Sequence, residues 1–266
     1  MSEKILEALT RLFGIITKQD GGAREGERNF VVNYFKQELD QDSVEQYTKL
    51  YDEVSNYPNP GFDKIKMREM VKILRYCRDI NKELAQPQKV IILVKLLELV
   101  ASDGNFTDQR KEIISTVSDA FNLKSDYKLI ESFVIKPSAS IPELNSPSIL
   151  VVSASDKLTN PESKHILSEK LTGEIIVLRV AVEEGNAIYF VKYTGSEDVK
   201  LNGFIMRTNQ VYLYTTGSNI KTPLGTTLYY SDVQGKFLQT LQSTKLSFTA
   251  KDIVFKFPNG AIGVQK

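Results

Sequence analysis

The chain has 266 residues, 41% hydrophobic and 25% charged, the balance of a globular protein with room for one large or two ordinary domains. Its 34 Lys and Arg against 33 Asp and Glu leave a formal charge of +1, which excludes a general field for steering onto nucleic acid or anionic lipid. Cys77 is the single cysteine, which excludes an intrachain disulfide and a cysteine-based metal cage and makes a cytoplasmic setting the expectation.

The opening "MSEKILEALTRLF" lacks the basic start and cleavage site of a secretory signal and reads as an amphipathic helix. Ser2 is its N-cap, and Ile5, Leu9, Leu12, Phe13 and Ile16 share one face. Further helices are expected over residues 27–39 and 42–54, before "NYPNPGF" forces a break. The spacing then predicts a long helix over residues 62–84, with Pro87 in the first turn of the next. "VIILVKLLELVA" is interrupted by Lys95 and Glu98 and falls short of the roughly 20 apolar residues a membrane span needs. It reads as a buried helix. Thr107 caps a helix reaching Phe121, and a short last one ends near Val134.

"KPSASIPELNSPS" has no periodicity and marks residues 136–148 as a linker. Beyond it, "EIIVLRVAVEE", "AIYFVKYTG", "DVKLNGFIM", "QVYLYTTG", "TTLYYSDV", "KLSFTA" and "DIVFKFPNGAIGV" are short β-branched and aromatic runs bounded by turn residues. Only residues 160–170 read as helical, with Asn160 as cap and Pro161 as first residue. The expected fold is α+β: an all-helical domain of about seven helices over residues 1–135, the linker 136–148, and an all-β sandwich-like domain over residues 149–266.

One phrase occurs twice in the helical half. "LFGIITKQDGGAREGERNFVVNYF" and "LLELVASDGNFTDQRKEIISTVSDAF" each end an apolar helix in Asp-Gly and place an acid five positions after the Asp. If the two halves are related by approximate two-fold symmetry, Asp20, Glu25, Asp103 and Asp108 converge. Carboxylates without His or Cys suit a hard divalent cation such as Ca²⁺, Mg²⁺ or Mn²⁺. The same residues have a plainer reading: Gly21 and Gly104 permit a left-handed turn, while Glu25 and Asp108 favour the positive end of a helix dipole. On these loops and their spacing the first half resembles the tellurite-resistance TerB family and its relatives in the N-terminal region of the DjlA co-chaperone. That resemblance implies a metal site at Asp20, Glu25, Asp103 and Asp108, with Glu27 competing for the role of Glu25.

In the second half, "AIYFVKYTGSEDVKLNGFIMRTNQVYLYTTGSNIKTPLGTTLYY" resembles the rear of a forkhead-associated domain, where Asn202 and Gly203 correspond to the ligand loop. No arginine-bearing loop precedes them, so no preference for phosphothreonine is expected. "LSFTAKDIVFKFPNGAIGVQK" resembles the first strands of an ATP-binding cassette domain, in an order found in large proteins of the Bacteroidetes type. There is no phosphate loop, so no nucleotide is expected on this chain alone. His165, the sole histidine, is expected as a solvated side chain on a helix without a Ser or Cys partner. Together these readings describe a non-catalytic sensing, docking or regulatory region of an ATP-binding cassette protein. Its expected partner is another protein or a following cassette domain, with no nucleic acid and no direct membrane span. The alternative is a metal-dependent hydrolase using the paired acidic loops.

Overall fold

The computed structural model describes residues 2–21, 23–56, 67–155, 160–169, 171–183, 186–223, 227–238, 254–258 and 262–265. Seven helices come first: α1 (Glu3–Thr17), α2 (Glu25–Glu38), α3 (Gln41–Ser55), α4 (Met67–Glu83), α5 (Gln86–Ala101), α6 (Asp108–Ala120) and α7 (Tyr127–Ile135). Their starts follow local chemistry. The Ser2 and Thr107 hydroxyls accept from backbone N–H groups of the first turns of α1 and α6, the Asp40 carboxylate does so for α3, and Pro87 sits in the first turn of α5. The expected apolar stripe of α1 is fully buried, and α5 is buried nearly all round because α1, α2, α6 and α7 pack against it.

A five-stranded sheet follows, in the order β2-β1-β3-β4-β7, from β1 (Ile149–Ser153), β2 (Lys164–Leu167), β3 (Ile175–Glu183), β4 (Asn186–Tyr193) and β7 (Val211–Tyr214). Only β1 and β2 are parallel within it. A four-stranded antiparallel sheet contains β6 (Phe204–Ile205), β5 (Lys200–Leu201), β8 (Asn219–Lys221) and β9 (Thr227–Tyr229), in that order, and leads into α8 (Tyr230–Leu238). β10 (Val254–Lys256) and β11 (Ile262–Gln265) form a two-stranded ladder. The α+β order expected from the sequence is the observed one.

The five-stranded sheet is the middle layer, and its side chains divide with period two. Ile149, Val151, Ile176, Leu178, Val180 and Phe190 join the hydrophobic cluster of the helices. Leu150, Val152, Ile175, Val177 and Val191 face the other way, into a second cluster with Ile220 and Leu228 of the four-stranded sheet and Val233 and Phe237 of α8. Ala139, Ile141 and Leu144 from residues 136–148 join the hydrophobic cluster of the helices. A 3-10 turn at Pro142–Leu144 buries Leu144, and Ala139 is buried beside it.

Four local expectations change. Residues 160–170 are not a helix: Lys164–Leu167 is strand β2, paired in parallel with β1. Asn160 does not cap a helix; it is buried, and its Nδ2 donates to the carbonyls of Ala139 (2.6 Å) and Ile141 (2.8 Å). His165 is therefore on a strand, with Nε2 3.1 Å from Ser153 Oγ, rather than solvated on a helix without a serine. The run "TTLYYSDV" is strand only as far as Tyr229. There Asp232 Oδ2 accepts from the Tyr229 N–H at 3.1 Å and α8 begins, so the second half is β-rich rather than all-β. "KLSFTA" lies outside the described residues.

Candidate functional site at the paired Asp-Gly loops

Each Asp-Gly pair ends a helix by turning the backbone left-handed. Gly21 has φ 92° after the 3-10 turn Lys18–Asp20 that follows α1, and Gly104 has φ 69° after α5. The connections then enter α2 and α6. The two loops approach each other closely: a Cβ on Gly26, in the first turn of α2, would lie 3.3 Å from the Ser102 carbonyl oxygen. Glycine at that position allows α2 to start against the end of α5.

The junction is built around Arg110, a residue the loop pattern did not single out. It stands in the first turn of α6 and is fully buried, with its guanidinium between the loops. Nη1 donates to Asp103 Oδ1 and Oδ2 (3.1 and 3.0 Å) and to the Asn105 carbonyl (2.9 Å). Nη2 donates to Glu27 Oε1 (2.6 Å) and to the Thr17 carbonyl at the end of α1 (3.3 Å). One guanidinium thus joins α1, α2, the second loop and α6 through charge-assisted bonds whose planar fork fixes direction as well as distance.

The carboxylates it holds are otherwise committed too. Asp103 Oδ1 accepts from the Asn105 N–H at 3.0 Å, an Asx turn that shapes the second loop. Arg24 Nη1 stands 3.5 Å from Asp103 Oδ2. Glu27 Oε2 accepts from the Arg24 N–H at 3.1 Å, which closes the first turn of α2. The Asp103 side chain is 3% exposed and that of Glu27 0%, so neither carboxylate can turn to bulk water for solvation.

Of the four acids expected to converge, Asp103 lies at this junction. Asp108 is on the outer side of α6 with its side chain 99% exposed, 3.8 Å from Lys111 Nζ. Glu25 is exposed at the start of α2, and Glu27, its competitor, is the acid that faces inward. Asp20 closes the 3-10 turn, and its side chain lies outside the described residues. Among the described residues no group of three or more His, Cys, Asp or Glu side chains is disposed to hold a metal ion. A divalent cation at Asp103 would compete with the guanidinium for the same two carboxylate oxygens and be repelled by it, so the described residues do not fit a metal.

Arg110 could have been suspected. A cation in the first turn of a helix opposes the dipole and is unfavourable unless carboxylates surround it.

Asn202 and Gly203, the other expected site, form the turn joining β5 to β6, both left-handed at φ 51° and 88°. The Asn202 residue is exposed, and its side chain is committed to neighbouring groups of the same sheet. Its Oδ1 accepts from the Asn219 N–H (3.0 Å), and its Nδ2 donates to Ser218 Oγ (3.3 Å).

No curated protein and no solved structure matches this chain. Residues 6–128 match the family model described as Tellurite resistance protein TerB, so the helical half that carries both Asp-Gly loops is similar to that family.

Proposed function

We propose that this chain is a non-catalytic docking or regulatory region, with a TerB-like helical module joined to a β-rich module, that works in the cytoplasm beside an ATP-binding cassette domain. Arg110 carries the non-catalytic part of the reading. At the paired loops, where metal or acid–base chemistry would be sought, the inward carboxylates Asp103 and Glu27 are bound by one buried guanidinium and shielded from water. The cassette part is supported by the resemblance of the final segment, where β10 pairs with β11. Among the described residues no helix is long and apolar enough to cross a membrane.

The competing reading places a divalent cation at Asp20, Glu25, Asp103 and Asp108, with a metal-dependent hydrolase as its catalytic form. Asp103 would then have to exchange Arg110 for the metal. Thermal melting of the full chain in EDTA, Ca²⁺, Mg²⁺ and Mn²⁺ separates the two. The docking reading expects one melting temperature in all four conditions and no turnover of p-nitrophenyl phosphate with Mn²⁺. A cation at a hundred times its Kd would instead add about 2.7 kcal/mol of stability, and a shift of that size in the wild type would install the metal reading.

A further inference from the structure

Between the helical layer and the β-rich half a cleft of about 810 Å³ opens, walled by α2 and α5 on one side and by β6, β7 and the connection between them on the other. At its rim strand β6 presents Phe204, 80% exposed; Ile205, the next residue of the strand and 56% exposed, lies outside the lining of the cleft. Two consecutive large apolar side chains on one short hairpin gain nothing for the fold while they face water. Their support is firm. Met206, the next residue, is buried and its N–H donates to the Val199 carbonyl (2.8 Å); the Arg207 N–H donates to Tyr212 Oη (2.8 Å), and the Asn209 N–H to the Tyr193 carbonyl (2.7 Å). The apolar rim is held in place before any partner arrives, which lowers the ordering cost of binding.

Among the described residues, the charges of the cleft that lack an ion pair are positive. Lys36 and Arg207 are exposed on opposite walls, and among the described residues neither enters an ion pair. Deeper in, Lys95 is paired at 2.7 Å with Glu98, the single acid lining the cleft. That leaves Lys36 and Arg207 as uncompensated positive charges beside exposed apolar groups. β6 is also the outer strand of its sheet, so an extended backbone can lie along it.

We infer that this cleft is a docking surface for an extended segment of a partner protein in which carboxylates flank apolar side chains. The inference rests on the docking reading above and names its surface. An apolar group of the partner covers Phe204, and its carboxylates meet Arg207 and Lys36.

The test is selection of a phage-displayed random dodecapeptide library on the full chain, followed by fluorescence anisotropy of the enriched peptides. Enriched sequences are expected to be net acidic and to contain aromatic or aliphatic residues. Phe204→Asp and Arg207→Glu should each weaken them at least tenfold, while Arg11→Glu, on α1 away from the cleft, should not. Because Phe204 is largely exposed, Phe204→Asp should melt as the wild type does, and that measurement keeps loss of binding distinct from loss of fold. A library on which nothing is enriched overturns the inference, as do basic sequences or peptides indifferent to both cleft variants. Sedimentation showing a dimer dissociated by Phe204→Asp would replace the partner segment by a second copy of the chain and overturn it too. Failure here leaves the non-catalytic reading standing, since that reading falls only to metal-dependent stabilisation or turnover.

Discussion

At the residue scale, Arg110 shows how a buried charge can be held in a helical core. Two carboxylates and one guanidinium would each lose several kcal/mol of hydration if buried alone, and together they satisfy one another. Removing one member exposes that cost. Arg110→Met should destabilise the fold by about 3–5 kcal/mol, read from urea unfolding, because the buried Asp103 and Glu27 then lose the guanidinium they share, and Arg24, half exposed and 3.5 Å from Asp103, is a weaker substitute. The same variant should acquire what the wild type is expected to lack, a rise in melting temperature with Ca²⁺ or Mn²⁺ as the metal takes over the vacated carboxylates. A variant indifferent to both cations would show that the two carboxylates cannot converge on a metal even when freed. Asn202 acts through its turn: Asn202→Ala removes two side-chain hydrogen bonds and places a β-carbon residue without polar compensation at φ 51°. It should cost about 1–3 kcal/mol in the same assay. Phosphothreonine peptides should bind no better than their unphosphorylated forms. Cys77 is buried, which pushes its thiol up to about 12, so it should resist alkylation in the native state.

Among the elements, the contact between α7 and β4 has its own chemistry. Lys192 points from β4 into the helical layer, where it is fully buried over the ring of Phe133, and Nζ donates to the Phe133 and Lys136 carbonyls at the end of α7. A strand thereby supplies the cation that a helix C-terminus favours. Burial lowers the Lys192 ammonium to about 8, with nearby Glu174 opposing the shift. In the unfolded chain the same group titrates near 10.4, as an ordinary lysine does. Between those values the unfolded chain binds more protons than the folded one, so the contribution of Lys192 to stability rises with pH across that window and is lost as pH falls through 8. Urea unfolding at pH 7.5, 8.5 and 9.5 should show the wild type gaining stability relative to Lys192→Met as pH increases. A constant difference between the two would contradict the shift.

On the scale of the whole molecule, the five-stranded sheet gives one face to the helices and the other to the smaller sheet and α8. Neither half can leave without exposing the middle layer, so the chain should unfold in one cooperative transition. Leu178 lies on the helix-facing side of β3 and is fully buried. Leu178→Ala should cost about 2–5 kcal/mol and destabilise, by the same amount, the helical circular-dichroism signal and the hydrogen-exchange protection of the β3 and β4 amides. Two separate transitions, with only one moved by the substitution, would show two independent folding units.

What the sequence by itself determined is the part written in local periodicity and punctuation. The seven helices of the first half follow from 3.6-residue spacing, with hydroxyl or carboxylate caps and Pro87 setting several of their starts, and the sheet residues of β3, β4 and β7 follow from β-branched and aromatic runs. The Asp-Gly loops were legible as paired turns because a left-handed residue after a helix calls for glycine. Tertiary structure decided the rest. Asn160-Pro161 looks like a helix start, yet β1 offers the following residues a parallel ladder and two carbonyls claim the Asn160 amide. Residues 136–148 have the composition of a tether, but burial of Ala139 and Leu144 depends on surfaces distant in sequence. Glu25 and Glu27 are indistinguishable by type, and only the angle at which α2 enters the core turns Glu27 inward and leaves Glu25 in water. Arg110 lies 83 residues from Glu27, so its place in the first turn of α6 could mark it as unusual but could not name the carboxylates that hold it. Hydrogen bonds and burial between such distant residues are properties of the packed chain, fixed once the helices have docked and the desolvated charges must find one another.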